Sequence, residues 1–113
     1  MTWNVQLHPA FADELVALPD EVQDEIASMV RLLQQSGPHL KRPHCDTLKG
    51  SDHANMKELR FEAADGVWRV AFAFDPARQA VLLVGGDKSG KSSAKFYKSL
   101  IRRADERFNE WLE

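Results

Sequence analysis

The stretch whose reading decides the fold is 56-MKELRFEAADGVWRVAFAFDPARQAVLLV-84. Three runs rich in β-branched and aromatic residues, Met56 to Glu62, Val67 to Asp75 and Gln79 to Val84, are separated by Ala63-Ala64-Asp65-Gly66 and Asp75-Pro76-Ala77-Arg78. Alternating runs broken by such turn residues predict an antiparallel meander. The last strand, AVLLV, is apolar on both faces, which predicts a central position. If the four-residue turn closes the first hairpin symmetrically, Phe61 faces Trp68, Arg60 faces Arg69 and Leu59 faces Val70. Leu59, Phe61, Trp68, Val70, Phe72 and Phe74 then form a core face. The opposite face carries Glu58, Arg60, Arg69, Ala71 and Ala73. Two guanidinium groups directly across a strand pair repel each other, a cost that makes sense if an anion normally sits between them. Two alternatives stay open: Glu58 and Glu62 neutralise the arginines as a surface cluster, or a one-residue slip moves them to the other face.

Outward from the meander, Trp3 to Leu7 alternates like a short strand, and Pro9 sits where a first helical turn tolerates it. Phe11, Leu15 and Leu18 mark one helix. Pro19 restarts the chain, and Val22, Ile26, Met29, Val30 and Leu33 mark a second, ended by Gly37-Pro38. These helices are expected to form an antiparallel hairpin over one face of the sheet. From His39 to Ala54 no period is visible, and a loop is expected. Tyr97, Ile101, Ala104, Phe108 and Trp111 recur at helical spacing, so a final helix over Ala94 to Leu112 packs on the sheet. The predicted architecture is an α+β domain over 1–113 with order β-α-α-β-β-β-α, a small and mostly antiparallel sheet. No internal repeat or low-complexity stretch interrupts it.

With 113 residues, 43% of them hydrophobic, the chain is the size of one ordinary domain with a modest core. A single cysteine, Cys45, forms no internal disulfide and points to a reducing compartment. No targeting or membrane-spanning stretch is visible, so a cytoplasmic protein without a membrane partner is expected. The net charge of −2 hides an uneven distribution. Residues 1–38 carry six acids against Arg31 alone, whereas residues 85–103 carry six bases against Asp87 alone. The second region is suited to phosphate, unless both runs are merely solvated helix faces.

Gly85-Gly86-Asp87-Lys88-Ser89-Gly90-Lys91-Ser92 fits the letter of the phosphate-cradling pattern G-x-x-x-x-G-K-[ST]. A nucleotidase is nonetheless excluded, because its parallel sheet needs several strand-helix crossovers and only one helix remains. The glycines, free amides at a helix start, and Lys88, Lys91 and Lys95 still predict a phosphate-binding rim. Tyr97, two turns beyond, is either a core tyrosine or a ring able to stack on a base there. His39, His44, Cys45 and His53 share one loop but match no common zinc spacing, so no metal or other cofactor is expected. His53 precedes the Glu58 strand and titrates near neutral pH, though a plain loop histidine explains it as well. No acyl-transfer elbow is present. RNA, however, brings its own nucleophile in the 2′-hydroxyl, leaving a protein to supply a base, an acid and cations.

DTLKGSDHANMKELRFE, WRVAFAFDP, LLVGGDKSG and FYKSLIRRADERF, taken in that order, resemble the RelE/ParE superfamily of type II toxins, and within it the HigB-like, phage-derived branch. The resemblance spans nearly the whole chain. It implies a ribosome-dependent, metal-independent endoribonuclease that cleaves mRNA and is neutralised by a helix-turn-helix antitoxin. It further implies that Arg60 and Arg69 hold the scissile phosphate, that Lys91 is the basic residue after the last strand, and that Tyr97 is the aromatic of the terminal helix, with Lys88 nearby. Where the nuclease branch carries lysines before the first arginine, this chain has Met56 and Glu58, and Lys57 points to the other face. The working roles are therefore Glu58, or else His53, as base; Arg60 and Arg69 as transition-state stabilisers; Lys91 as phosphate ligand or acid; and Tyr97 as stacking platform. Lys57, Lys88, Lys95 and His53 are expected RNA contacts. A proline common in the family's last helix is replaced near Arg102. Rival readings are a gyrase-inhibiting toxin of the ParE kind and a non-catalytic binding module.

Overall fold

The computed structural model describes residues 2–113. Strand β1 (Asn4–Leu7) leads into helices α1 (Pro9–Leu15) and α2 (Asp20–Ser36), then a 3-10 turn at Gly37–His39. Strands β2 (Cys45–Thr47), β3 (Lys57–Ala63), β4 (Gly66–Phe74) and β5 (Gln79–Asp87) precede helix α3 (Ser93–Leu112). The sheet order is β1-β5-β4-β3-β2, with β1 parallel to β5 and the other pairs antiparallel. The expected α+β architecture and mostly antiparallel sheet are present.

Local chemistry sets the element ends. Pro9 opens α1, and the His8 ring Nδ1 accepts the Ala10 amide as its N-cap. Asp20 and Glu21 sit in the first turn of α2, where negative charge meets the positive end of the helix dipole. Gly37, at φ 53°, donates its amide to the Leu33 carbonyl and closes that helix. Between β3 and β4 the tight turn places Ala64 at φ 50° and Asp65 at φ 58°, the left-handed pair whose twist matches a hairpin. The hairpin closes symmetrically, pairing Ala63 with Gly66, Phe61 with Trp68 and Arg60 with Arg69.

Two hydrophobic layers follow from that register. Leu59, Phe61, Trp68, Val70 and Phe72 pack with Phe11 of α1 and with Val22, Ile26 and Leu33 of α2. On the opposite face Met56, Ala71, Ala73 and Val81 pack with Phe96, Leu100, Ala104 and Phe108 of α3. A bulge opposite Ala71/Phe72 leaves Leu83 unmatched, and both Leu83 and Val84 turn toward α3. The small residues Ala71 and Ala73 are fully buried there and admit the close approach of the helix.

Three expectations need correction. The 39–54 segment is not all loop, since Cys45, Asp46 and Thr47 pair with Leu59, Glu58 and Lys57. Such a short edge strand owes its form to the neighbour it pairs with, not to a pattern of its own. β5 runs on to Asp87, which places Gly85 and Gly86 in the ladder opposite Val70 and Arg69 and removes them from the expected phosphate loop. The two oppositely charged regions also meet: Glu14 of α1 accepts from Arg103 (3.3 Å) and Arg107 (2.8 and 2.6 Å) of α3.

Candidate active site

Glu58 on β3 and Arg69 on β4 are among the few charged residues that are buried, at 3% and 6% exposure. Strand alternation brings them and Arg60 to the α3 face. There the Arg60 Nη1 donates to Glu58 Oε2 at 2.7 Å, and the Tyr97 hydroxyl donates to Glu58 Oε1 at 2.8 Å. The same phenol oxygen accepts from Arg69 Nε at 3.1 Å, which itself lies 3.7 Å from Glu58 Oε1. Arg69 Nη1 also donates to the Trp68 carbonyl. One carboxylate and one phenol thus tie the two guanidiniums together, so the repulsion foreseen between Arg60 and Arg69 is relieved from within. Of the neutralising cluster that was one alternative, Glu58 does pair with both arginines, buried rather than on the surface, while exposed Glu62 stands outside it.

Burial, reinforced by the hydrogen bond to Glu58, raises the Tyr97 pKa above its ordinary value, while Arg69 opposes the shift. The phenol therefore keeps its proton at neutral pH and holds it against a carboxylate. Lys88 adds charge at the rim, with Nζ 5.8 Å from the centre of the Tyr97 ring. Its loop is held by Asp87, a residue sequence reasoning noted only as a stray acid. Asp87 Oδ1 accepts from the amides of Val67 and Ser89 and from the Ser89 hydroxyl, and Lys88 donates its amide to the Val67 carbonyl. The Ser89 hydroxyl, outweighing the cost of burial, holds the Asp87 pKa below the usual value.

The remaining candidates stand apart from this cluster. Lys91 lies over Phe96, 5.9 Å from its centre, and lines with Lys95 a groove on another side of α3. Lys57 lies, by strand alternation, on the face opposite Glu58. His53 stacks edge-on against Phe108 and its Nε2 meets Asn109 Oδ1 at 2.9 Å, about 18 Å along the helix from Tyr97. The four residues once weighed as zinc ligands do not converge. Cys45 is buried in the core, with burial pushing its thiol up to about 11. His44 instead lines a shallow cleft of about 350 Å³ beside Arg60 and Arg69, giving access to the arginines from the sheet edge. Its place beside Pro43 offered no signal for this. Among the described residues no group of three or more His, Cys, Asp or Glu side chains is arranged to hold a metal, and no helix is long and apolar enough to cross a membrane.

The chain is 44% identical over 96 residues to the toxin candidate HigB3 of Mycobacterium tuberculosis, covering 85% of this chain and 82% of that protein. It is 41% identical over 99 residues to the toxin candidate HigB2 of the same organism, covering 87% of this chain but only 49% of the relative. Its fold matches the free form of a mutant E. coli toxin RelE with a TM-score of 0.64 at 12% identity, over 90% of this chain and 96% of that one. It also matches a chain of the RelE-RelB complex from Pyrococcus horikoshii, with a TM-score of 0.57 at 18% identity over 80% of this chain and 99% of that one. Residues 13–109 match the family described as phage-derived protein Gp49-like. The chain belongs to this phage-derived Gp49-like family, is HigB-like in sequence, and has the RelE fold.

Proposed function

We propose that the chain is the toxin of a type II toxin-antitoxin system, an endoribonuclease that cuts mRNA on the ribosome and is silenced by a helix-turn-helix antitoxin. The observation that carries this reading is the Glu58-Tyr97-Arg69 chain of contacts, with Arg60 on the second carboxylate oxygen. The names of the mycobacterial relatives and the archaeal neighbour's presence in a complex with RelB support it.

The chemistry needs no metal in this reading. The 2′-oxygen attacks the adjacent phosphorus, the P–O5′ bond breaks, and a 2′,3′-cyclic phosphate and a 5′-hydroxyl result. The 2′-hydroxyl proton passes to the Tyr97 oxygen as Tyr97 gives its own proton to Glu58 Oε1, so Glu58 is the ultimate base and the phenol the relay. Arg69 and Arg60 stabilise the charge that develops on the phosphate. Lys88, whose Nζ lies 5.8 Å from the centre of the Tyr97 ring, gives its proton to the leaving 5′-oxygen as the P–O5′ bond breaks.

Primer extension on a message in a translating extract tests the reading. Cuts that require ribosomes, lost in Arg69→Ala, support it. Tyr97→Phe keeps the ring and removes the relay, so cleavage falls by roughly 10² or more; full activity in that variant means the ring only stacks. Loss of DNA supercoiling without cuts indicates a gyrase poison, and neither effect indicates a binding module.

A further inference from the structure

Helix α3 is flanked by two grooves of opposite electrical character. One, between α3 and the end of β5, has a volume of about 410 Å³ and presents Lys91, Lys95 and Arg103 with no carboxylate among its lining residues. The other sets Lys98 and Arg102 among three carboxylates, Asp52, Asp105 and Glu106, with Arg102 paired to Glu106 at 3.4 Å. The cationic groove also offers the hydroxyls of Ser92 and Ser99. Residues 92, 95, 99 and 103 lie along a single stripe of the helix over about 16 Å, longer than a single phosphate needs.

The floor of this groove joins the Tyr97 cluster. Phe96 packs edge-on against Tyr97, with centroids 5.3 Å apart. Gly86 lies opposite Arg69 in the ladder, and a Cβ at that position would come within 3.1 Å of the Phe96 ring. Glycine therefore keeps the floor low where the groove meets the cluster. Arg103 is held by one contact to Glu14 at 3.3 Å, which leaves most of the guanidinium donors free.

We infer that this groove is a second phosphate subsite, which takes the RNA backbone beyond the linkage held at Glu58, Arg69 and Tyr97. The inference rests on the proposed RNA reading and extends it to Lys95, Ser99 and Arg103. Continuity with the cluster, and hydroxyls interleaved with cations, favour a polynucleotide over an acidic peptide. Lys91 and Lys95 thereby act outside the reacting centre, holding the strand in place.

The test is fluorescence anisotropy of the full chain with a labelled, uncleavable 2′-O-methyl hexanucleotide. Lys95→Ala/Arg103→Gln should weaken binding about tenfold and flatten the slope of log affinity against log salt by about 1.4, the value for two phosphate contacts on a single strand. Lys98→Ala/Arg102→Gln removes the same charge from the other groove and should change affinity less than twofold. Ser99→Glu, at an exposed helical position, should weaken binding with no loss of folding. Equal losses in the two charge-matched pairs, an unaffected groove pair, or no binding by the unmodified chain overturns the inference. So does tighter binding of a hexaglutamate peptide than of the hexanucleotide, which marks a protein-docking groove instead. Ribosome-dependent cleavage reports separately: if it persists when the groove variants bind normally, only the subsite is wrong, and if it is absent while they lose binding, the nuclease reading is.

Discussion

Replacing Glu58 by glutamine keeps the volume of the side chain and removes its charge, leaving two guanidiniums with no anion. The magnitude follows from the contacts. Glu58 is 3% exposed and touches Arg60 at 2.7 Å, the Tyr97 hydroxyl at 2.8 Å and Arg69 at 3.7 Å. Removing one partner from a buried ion pair costs about 3–5 kcal/mol, chiefly because the other charge is stranded. Arg60 has a side-chain exposure of 21% and recovers some hydration, whereas Arg69 at 8% cannot, so the low end, about 3 kcal/mol, is expected. For a chain of this size that lowers Tm by roughly 12 °C. Urea denaturation and a thermal scan measure it. Added sulfate should recover more stability in Glu58→Gln than in the unmodified protein, because the emptied position between the arginines now favours an anion. A cost under about 0.5 kcal/mol, or equal sulfate effects, refutes the view that this carboxylate neutralises the arginine pair.

Other outcomes follow from the same geometry. Arg107→Met should cost about 2 kcal/mol by urea denaturation, since it strips the Leu83 carbonyl of its side-chain donor and leaves Glu14 only the longer contact to Arg103; a neutral result contradicts that pairing. Burial alone pushes the Asp75 pKa up, but the Trp111 indole and the Gln79 amides outweigh it and hold the carboxyl below its usual 3.8. A depressed value means its stabilisation is complete above about pH 4 and is lost as acid carries the pH down through the folded value. Asp75→Asn should flatten this acid limb, read by denaturation between pH 5 and 2. Cys45, raised from 9.0 to about 11 by burial, should react with iodoacetamide roughly a hundredfold more slowly in the folded than in the unfolded chain, as timed mass spectrometry measures. Gly66→Ala should loosen the Lys88 loop, because the new Cβ would stand 2.7 Å from Asp87 Oδ2; unchanged stability together with unchanged cleavage would show that Asp87 does not need that space.

What was legible in the sequence was whatever depended on short-range counting. The pairing of Arg60 with Arg69 follows once a turn is located and strand alternation is respected, and the fold placed them as that count required. What was not legible depended on neighbours distant in the chain. Cys45–Thr47 has no strand pattern, and becomes a strand because β3 offers an open edge. Gly85 and Gly86 carry the usual punctuation of a loop, yet the absence of side chains suits a strand that must pass beneath Phe96 and beside Phe11.

The rim residues show the same limit more sharply. Lys91, Lys95 and Tyr97 are near neighbours in sequence, which suggested a single cleft. On a helix, however, residues two apart point about 200° from each other, so Lys95 and Tyr97 cannot serve the same pocket. The helix therefore divides what the linear reading had joined: Tyr97 goes to the carboxylate and arginines of the sheet, and Lys95 to the cationic groove. Charge had a similar fate. Glu14 belongs to the acidic region and Arg103 to the basic one, yet 89 residues of separation vanish when α1 and α3 meet. Pairing there consumes part of the field that the run of bases had promised. The groove lined by Lys91, Lys95 and the remaining donors of Arg103 has no carboxylate in its lining, and a polyanion would gain most by lying there.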